Sequence, residues 1–202
     1  MENKININAD FESFKKAFLE ENSKHNLISQ NDEKFLFEKH FYDSLGIKLF
    51  FEKYGIDEAT ILDIGCGGGF PCVPVALEYP KMQIVGLDSI RKKIDSVREI
   101  KDKLNIKNLE LICDRAENIK NKKFDIVISR AVADLKKISA YALPFLNKGG
   151  YFVAYKSKKA LAELDDAKSF LEKSKMKVVE IIDYTLPLEE VYERNLVVIK
   201  KL

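Results

Sequence analysis

The sequence predicts a doubly wound α/β domain that carries an α-helical N-terminal extension. From residue 59 onward, short β-rich runs alternate with stretches of helical periodicity, and this alternation is typical of a mostly parallel sheet covered by helices on both faces. The first run, ATILDI, leads directly into the glycine-rich segment GCGGGF. A glycine-rich turn between a strand and a helix indicates a ligand site at that edge of the sheet.

The N-terminal extension, residues 1–58, is predicted to be helical. Phenylalanines recur at helical spacing in residues 10–22, and Asp10 can cap that helix. A second helical segment covers residues 32–54, with Gly46 as a candidate break. Within it His40 and Asp43 lie one helical turn apart, and we expect both side chains to make internal hydrogen bonds. We expect the phenylalanines at helical spacing to be core residues, and the chain is interpreted as a helical extension, 1–58, followed by an α/β domain, 59–202, that forms one compact unit.

The α/β domain is predicted to contain seven strands. The runs that alternate with helices are 59–64, 83–87, 108–112, 124–129 and 150–155, and the helices are expected near 71–79, 90–104, 134–146 and 159–174. Two further strand-like runs, 177–186 and 194–201, have no helix between them. They predict an antiparallel hairpin at the C-terminal edge of the sheet.

The composition favours a cytoplasmic protein with one strongly basic segment. No apolar run is long enough to span a membrane, and the first residues do not resemble a signal peptide. The three cysteines form no CxxC pair, which favours a reducing compartment. The formal net charge is only +2, but residues 88–160 hold 18 Lys and Arg against 9 Asp and Glu. This basic segment is either solvated helix surface or a patch for nucleic acid.

The glycine turn has three candidate ligands. A phosphate-binding P-loop would need a Lys after its last glycine, and none follows here. A dinucleotide site would need a glycine at position 70, which is Phe70 in this chain; the spacing is instead Gly65-x-Gly67-x-Gly69. This spacing favours S-adenosylmethionine. Asp88 ends the second predicted strand, where its carboxylate can accept from both ribose hydroxyls or, alternatively, cap the next helix.

The ends of the third and fourth predicted strands supply further candidates. Ala116 and Glu117 follow the third strand, where they can contact the adenine edge or form a solvated loop. Arg130 ends the fourth strand, in place of the Asn/Asp-Pro-Pro-Tyr motif that would indicate methylation of an exocyclic amine. An arginine at this position favours binding of a carboxylate, a phosphate or guanine.

Together these residues resemble the bacterial RsmG family, also called glucose-inhibited division protein B. The similar stretches are HNLIS (25–29), KHFYDSLGI (39–47), ILDIGCGGGFPCVPVAL (61–77), GLDSIRKKI (86–94), DRAEN (114–118), FDIVISRAVADL (124–135), GGYFVAYKS (149–157) and ERNLVVIK (193–200). The resemblance implies a Rossmann-like class I methyltransferase fold. It further implies methylation of guanine N7 in the 530 loop of 16S rRNA, with S-adenosylmethionine as donor and the small ribosomal subunit or its rRNA as partner.

By motif, the resemblance implies donor contacts from Gly65, Phe70, Ala116, Glu117 and Arg130. The chain departs from the family pattern at several positions: His25 stands where Trp is common, Cys66 for Thr, Phe70 for Leu, Cys72 for Gly, and Ser96-Val97 for Phe-Leu. These departures concern packing around the donor and the extension.

The expected chemistry needs little from the protein beyond positioning. Guanine N7 carries an available lone pair and has no proton to lose, so we expect no general base, and no catalytic residue is assigned. The two histidines have no partner at metal-ligand spacing, so no metal is expected. No obligate protein partner is indicated. The candidate RNA contacts are Arg91, Lys92, Lys93, Arg98, Lys136, Lys137, Lys156, Lys158 and Lys159.

The sequence is also compatible with two other functions. A class I methyltransferase for a small molecule would have a closed apolar pocket and would not bind RNA. A non-catalytic RNA-binding or ribosome assembly factor would keep the donor site without transferring a methyl group.

Overall fold

The computed structural model describes residues 5–157 and 160–202. The strands are β1 Thr60–Ile64, β2 Gln83–Asp88, β3 Leu109–Cys113, β4 Phe124–Arg130, β5 Leu146–Lys156, β6 Met176–Leu186 and β7 Tyr192–Lys201. The α-helices are α1 Phe11–His25, α2 Gln30–Glu33, α3 Lys48–Tyr54, α4 Cys72–Glu78, α5 Arg91–Lys103, α6 Leu135–Ala142 and α7 Ala160–Lys173. Within the described residues, no helix has the length and apolar character that crossing a membrane requires.

The strands form one seven-stranded sheet in the order β3-β2-β1-β4-β5-β7-β6. The first five strands are parallel, and β7 runs antiparallel between β5 and β6. This confirms the predicted doubly wound sheet with an antiparallel hairpin at its C-terminal edge. The strand order reverses at β1 and β4, so the turns after these two strands border the switch point at which such sheets bind ligands.

Two apolar cores cover the two faces of the sheet. Along β1, Ile61 faces the core formed with the N-terminal extension, α4 and α5, while Leu62 faces the core formed with α6 and α7. This alternation follows from the two-residue period of a strand. Phe14 and Phe18 of α1 lie in the same core as Ile61, and both are almost fully buried. The extension therefore shares a core with the sheet.

The second predicted helix of the extension is divided. Instead of one helix over 32–54, the chain forms α2, a π-helical segment Leu36–Tyr42, a 3-10 turn Leu45–Ile47 that contains Gly46, and α3. The Ser44 hydroxyl donates to the His40 carbonyl at 2.6 Å, a bond of the kind that competes with the regular backbone ladder of an α-helix. The irregular stretch presents Asp43 to the sheet.

Candidate functional site

The glycine turn lies at the carboxyl end of β1 and is anchored to β2. The backbone N–H groups of Gly65 and Cys66 both donate to the Leu87 carbonyl, at 2.7 and 3.1 Å. Gly65, Gly67 and Gly69 have φ angles of +76°, +54° and +93°, a region that L side chains rarely adopt. The three predicted glycines thus form the sharp turn that leads from β1 into α4.

Gly67 leaves an open face on this turn. A Cβ at this position would lie 3.9 Å from the Gly65 carbonyl oxygen, the nearest atom among the described residues. The Gly67 N–H points to Asp88 and donates to its Oδ2 at 2.9 Å. The structure therefore brings together the two parts of the site that the sequence predicted separately, the glycine turn and the acid that ends β2.

Asp88 does not fulfil the alternative role of capping the next helix, because the N-cap residue of α5 is Ile90 and no side chain caps that helix. Its Oδ1 accepts from the Ile90 N–H at 2.9 Å, just before α5. Each carboxylate oxygen has two lone pairs, so these two bonds leave acceptor capacity for a ligand. The Asp88 carbonyl accepts from the Asp114 N–H at 3.1 Å, which brings the end of β3 beside the site. The bonds from Gly67 and Ile90 thus orient this carboxylate and leave it able to bind a ligand.

The R-A-E segment after β3 forms a short 3-10 turn, Ala116–Asn118. Ala116 is half-buried and Glu117 is exposed at the rim. Ala116 packs against the core that contains α6 and α7. The segment therefore lies at the same edge of the sheet as Asp88, as predicted.

The ring of Phe70 lies between the glycine turn and the extension. It is 5% exposed, and its centroid lies 5.8 Å from that of Phe14, 5.1 Å from Phe18 and 5.1 Å from His40. The guanidinium carbon of Arg130 lies 5.3 Å from the same centroid. Since the ring is enclosed, the Phe70 side chain itself is not open to a ligand, and its packing shapes the turn.

Arg130 ends β4, but its guanidinium is held by the extension. Nη1 donates to the Lys39 carbonyl at 2.9 Å and to Oδ2 of Asp43 at 3.0 Å, and Nη2 lies 3.3 Å from Nδ1 of His40. Burial, followed by the charge of Arg130, lowers the pKa of His40 to about 4, so this imidazole is neutral at physiological pH. His40 and Asp43 are therefore linked through Arg130 and not by a bond to each other.

Asp43 is the centre of a buried ionic cluster that the sequence did not reveal. It is 2% exposed and accepts from Arg130, from Nε and Nη2 of Arg194 at 2.8 and 3.0 Å, and from the Tyr184 hydroxyl at 2.7 Å. Burial raises the pKa of Asp43, but the charges of Arg130 and Arg194 outweigh burial and lower it. The cluster joins the extension to β4, β6 and β7.

Asp63 is a second functional candidate that sequence reasoning missed. It lies inside β1, fully buried, where Oδ2 accepts from the Cys72 N–H at 3.1 Å and Oδ1 has no hydrogen-bond partner in the described part of the chain. Burial raises its pKa to about 7. The available signal was one acid within the apolar run ATILDI. An unpartnered buried oxygen beneath the turn is suited to an internal water.

The candidate RNA contacts divide into exposed and ion-paired groups. The helices α5 and α6 both begin at the sheet edge that carries the glycine turn, and their first residues Arg91, Lys92, Lys136 and Lys137 are exposed, with Lys93 half-buried. Arg98 pairs with Asp95 at 2.6 Å, and Lys156 pairs with Glu163 at 2.6 Å. Lys158 and Lys159 lie outside the described residues. Over residues 5–157 and 160–202, no group of His, Cys, Asp and Glu has the arrangement of a metal site.

Comparison with known proteins gives one consistent family. Residues 7–196 match the GidB family model, described as rRNA small subunit methyltransferase G. A curated protein of Lactobacillus acidophilus, Ribosomal RNA small subunit methyltransferase G, is 37% identical over 95% of this chain and 82% of its own length. The protein with the same description from Lachnoclostridium phytofermentans is 38% identical, over 95% and 80%.

Solved structures support the fold assignment. A protein from Listeria monocytogenes, described as a class I S-adenosylmethionine-dependent methyltransferase, superposes with a TM-score of 0.69 at 16% identity, over 96% of this chain and 68% of its own. The M. jannaschii protein TYW2, crystallised with AdoMet, superposes with a TM-score of 0.59 at 16% identity, over 72% and 70%. At these identities the likeness shows a shared class I methyltransferase fold.

Proposed function

The chain belongs to the rRNA small subunit methyltransferase G family, and on that premise we propose that it methylates N7 of guanine in the 530 loop of 16S rRNA. The methyl donor in this proposal is S-adenosylmethionine, and the reaction takes place in the cytoplasm, on 16S rRNA or the small ribosomal subunit. The observation that carries the donor assignment is the hydrogen bond from the Gly67 N–H to the Asp88 carboxylate, 2.9 Å long. It joins the turn and the acid into one site at the switch point.

The residues present fit this donor. When bound, S-adenosylmethionine supplies an activated methyl group on a sulfonium. The open face at Gly67 provides room for a ligand chain against the backbone. Asp88 has acceptor capacity for ribose hydroxyls, and in this proposal Ala116 and Glu117 contact the adenine edge.

The surroundings of Arg130 support guanine N7 as the acceptor. N7 has a free lone pair, so a productive site needs a positioned base and no proton acceptor. A guanidinium that bound N7 would block the reaction, but Arg130 is retained by Lys39 and Asp43 beside Phe70. Its remaining donors are suited to guanine O6, a phosphate or the carboxylate of the donor. His40 is an unsuitable base because its pKa is lowered to about 4.

The exposed cations at the start of α5 and α6 provide the RNA-binding surface in this proposal. Arg91, Lys92, Lys136 and Lys137 border the edge at which the glycine turn opens. Contacts of this kind go to phosphates and orient the RNA without reading its sequence. The RNA therefore meets the protein at the same edge of the sheet as the donor.

The proposal is tested in a strain that lacks the gene. We expect 7-methylguanosine to be missing from the 530 loop of its 16S rRNA, as read by borohydride and aniline cleavage or by mass spectrometry of the excised fragment. The wild-type gene should restore the modification, and a Gly65→Asp variant should not. Gly55→Asp, at a positive-φ glycine in an open position at the end of α3, serves as the matched control and should restore it.

A deletion strain with unchanged 7-methylguanosine in the 530 loop rejects the proposal. Binding of the purified protein to NAD without binding to S-adenosylmethionine, measured by calorimetry, rejects the donor. Methylation of a small molecule but not of 16S rRNA or small subunits assigns the protein to the other methyltransferase class. If the Gly65→Asp variant no longer binds the donor but still restores 7-methylguanosine in the deletion strain, the protein is a non-catalytic RNA-binding or assembly factor.

A further inference from the structure

The loop between β4 and α6 covers the first glycine of the turn. Ala131 has φ +57°, a left-handed conformation for a residue with a side chain. The next residue, Val132, is apolar and still 42% exposed. A Cβ on Gly65 would lie 2.4 Å from Cγ2 of Val132, so this valine rests directly on the glycine. The position of the loop therefore sets the width of the space above the turn.

This strained backbone is tethered on both sides. Before it, the guanidinium of Arg130 is held by Lys39 and Asp43 of the extension. After it, Nζ of Lys156 donates to the Ala133 carbonyl at 2.7 Å. Unfavourable backbone conformations persist where the surrounding structure over-determines them, and they cluster at functional sites. The contacts of Arg130 and of the Ala133 carbonyl constrain Ala131 and Val132 from both sides in this way.

The Lys156 side chain is largely buried, and its ammonium makes contacts within the fold. Its side chain is 11% exposed, and Nζ lies 2.6 Å from Oε2 of Glu163 on α7. The same Glu163 oxygen accepts from the Leu135 N–H at 2.7 Å, at the first residue of α6. The ammonium has three donors, and two of them are used inside the fold. The pair therefore clamps the end of the loop and the start of α6 together.

We propose that Lys156 and Glu163 act as a positioning pair, which holds Val132 against the glycine turn and thereby fixes the place of the methyl group relative to guanine. Lys156 is then a positioning residue, in contrast to its assignment from sequence as an RNA contact. This inference rests on the proposed function. The physical reason is that transfer rates depend steeply on geometry, and a misplacement of about 1 Å can cost roughly a hundredfold.

The test compares Lys156→Met with Lys136→Met. Both changes remove one ammonium and keep the stem, but Lys136 is exposed at the start of α6. For Lys156→Met we expect kcat to fall by roughly tenfold to a hundredfold, with unchanged KM for RNA and an unchanged slope of log affinity against log salt. For Lys136→Met, which removes a phosphate contact of the proposed RNA-binding surface, we expect weaker RNA binding and a slope reduced by about 0.7. Lys156→Arg, which keeps donors for Ala133 and Glu163, should recover part of kcat.

A readout independent of methyl transfer is amide hydrogen exchange at Leu135. Exchange should increase in Lys156→Met and stay at the wild-type level in Lys136→Met. If Lys156→Met does not fold because Glu163 loses its partner, the variant Lys156→Met/Glu163→Gln removes both charges and should show the same fall in kcat. The double change should lower kcat no more than either single change does, because the two side chains act as one unit.

Two results overturn the inference. One is a salt slope that falls in Lys156→Met as in Lys136→Met, which makes Lys156 a phosphate contact. The other is a Lys156→Met or double variant with wild-type kcat. If the wild-type protein transfers no methyl group to 16S rRNA, the proposed function fails. The positioning role of Lys156 and Glu163 is then tested by hydrogen exchange alone, and unchanged exchange at Leu135 in Lys156→Met overturns it.

Discussion

Nη1 of Arg130 lies 3.0 Å from Oδ2 of Asp43, and both side chains are largely buried. This ion pair joins the end of β4, at the sheet's switch point, to the irregular segment of the N-terminal extension. Because Asp43 also accepts from Arg194 and Tyr184, a single carboxylate holds together the extension, the site-facing end of β4 and the C-terminal hairpin. The extension is thus part of the site's support.

The change Asp43→Asn should destabilise the protein strongly. Removal of one partner from a buried ionic cluster leaves the remaining charges uncompensated, which typically costs about 3–5 kcal/mol. Urea denaturation should show this loss in the free energy of unfolding. Asp95→Asn is the control, since the Asp95–Arg98 pair is exposed on α5, and it should cost less than about 1 kcal/mol. Equal effects of the two changes would argue against the cluster.

The change Gly67→Ala should weaken donor binding. Its matched control is Gly55→Ala, because both glycines have positive φ, +54° and +64°, and for both an added Cβ faces open space among the described residues. Each substitution should cost about 1–2 kcal/mol of stability from backbone strain. Only Gly67→Ala places a methyl group on the turn, so only this variant should lose affinity for S-adenosylmethionine in calorimetry. An equal loss in both variants would indicate a general effect of destabilisation.

The change Asp63→Asn should alter how stability depends on pH. The pKa of Asp63 is raised by burial from 3.8 to about 7, so between these values the folded protein binds a proton that the unfolded chain releases. The stability that the protonated Asp63 side chain contributes to the wild-type protein is fully present below about pH 4. It is lost as the pH rises to about 7. The asparagine keeps an acceptor for Cys72 and does not titrate.

The difference in unfolding free energy, Asp63→Asn minus wild type, should therefore increase with pH over this window. The expected slope is about 1.4 kcal/mol per pH unit, with a plateau above pH 7. The comparison with wild type is needed because the lowered pKa of His40 acts in the opposite direction over part of the window. Denaturation curves at several pH values provide the measurement, and parallel curves for the two proteins would contradict a raised pKa.

The double change Arg91→Met/Lys92→Met should weaken RNA binding through loss of phosphate contacts. The slope of log affinity against log salt should fall by about 0.7 for each contact with a single-stranded region. Lys148→Met is the control, because Lys148 is exposed at the start of β5, at the opposite edge of the sheet. Filter binding of a 530-loop fragment at increasing salt measures the slopes. An unchanged slope in the double variant would remove the start of α5 from the RNA-binding surface.

Much of the fold followed from the sequence because its signals are local. The alternation of β-rich and helical runs predicted the first five strands, and the helix-free gap between the last two runs predicted the antiparallel hairpin. The glycine spacing after β1 and the acid at the end of β2 predicted two parts of one site, since the carboxyl ends of adjacent parallel strands share an edge. The break in the extension near Gly46 was anticipated, whereas the π-helical turn before it was not.

The tertiary structure alone decided what the charged side chains near the site do. Asp43 and Arg130 are 87 residues apart in sequence, and Asp43 and Arg194 are 151 apart, so no spacing rule connects them. The same holds for Lys156, whose ammonium meets Glu163 and the Ala133 carbonyl only after β5, α7 and the loop after β4 have packed. Backbone periodicity and turn formation depend on residues that are close in sequence. The partner of a charged side chain depends instead on which distant elements the hydrophobic cores bring together.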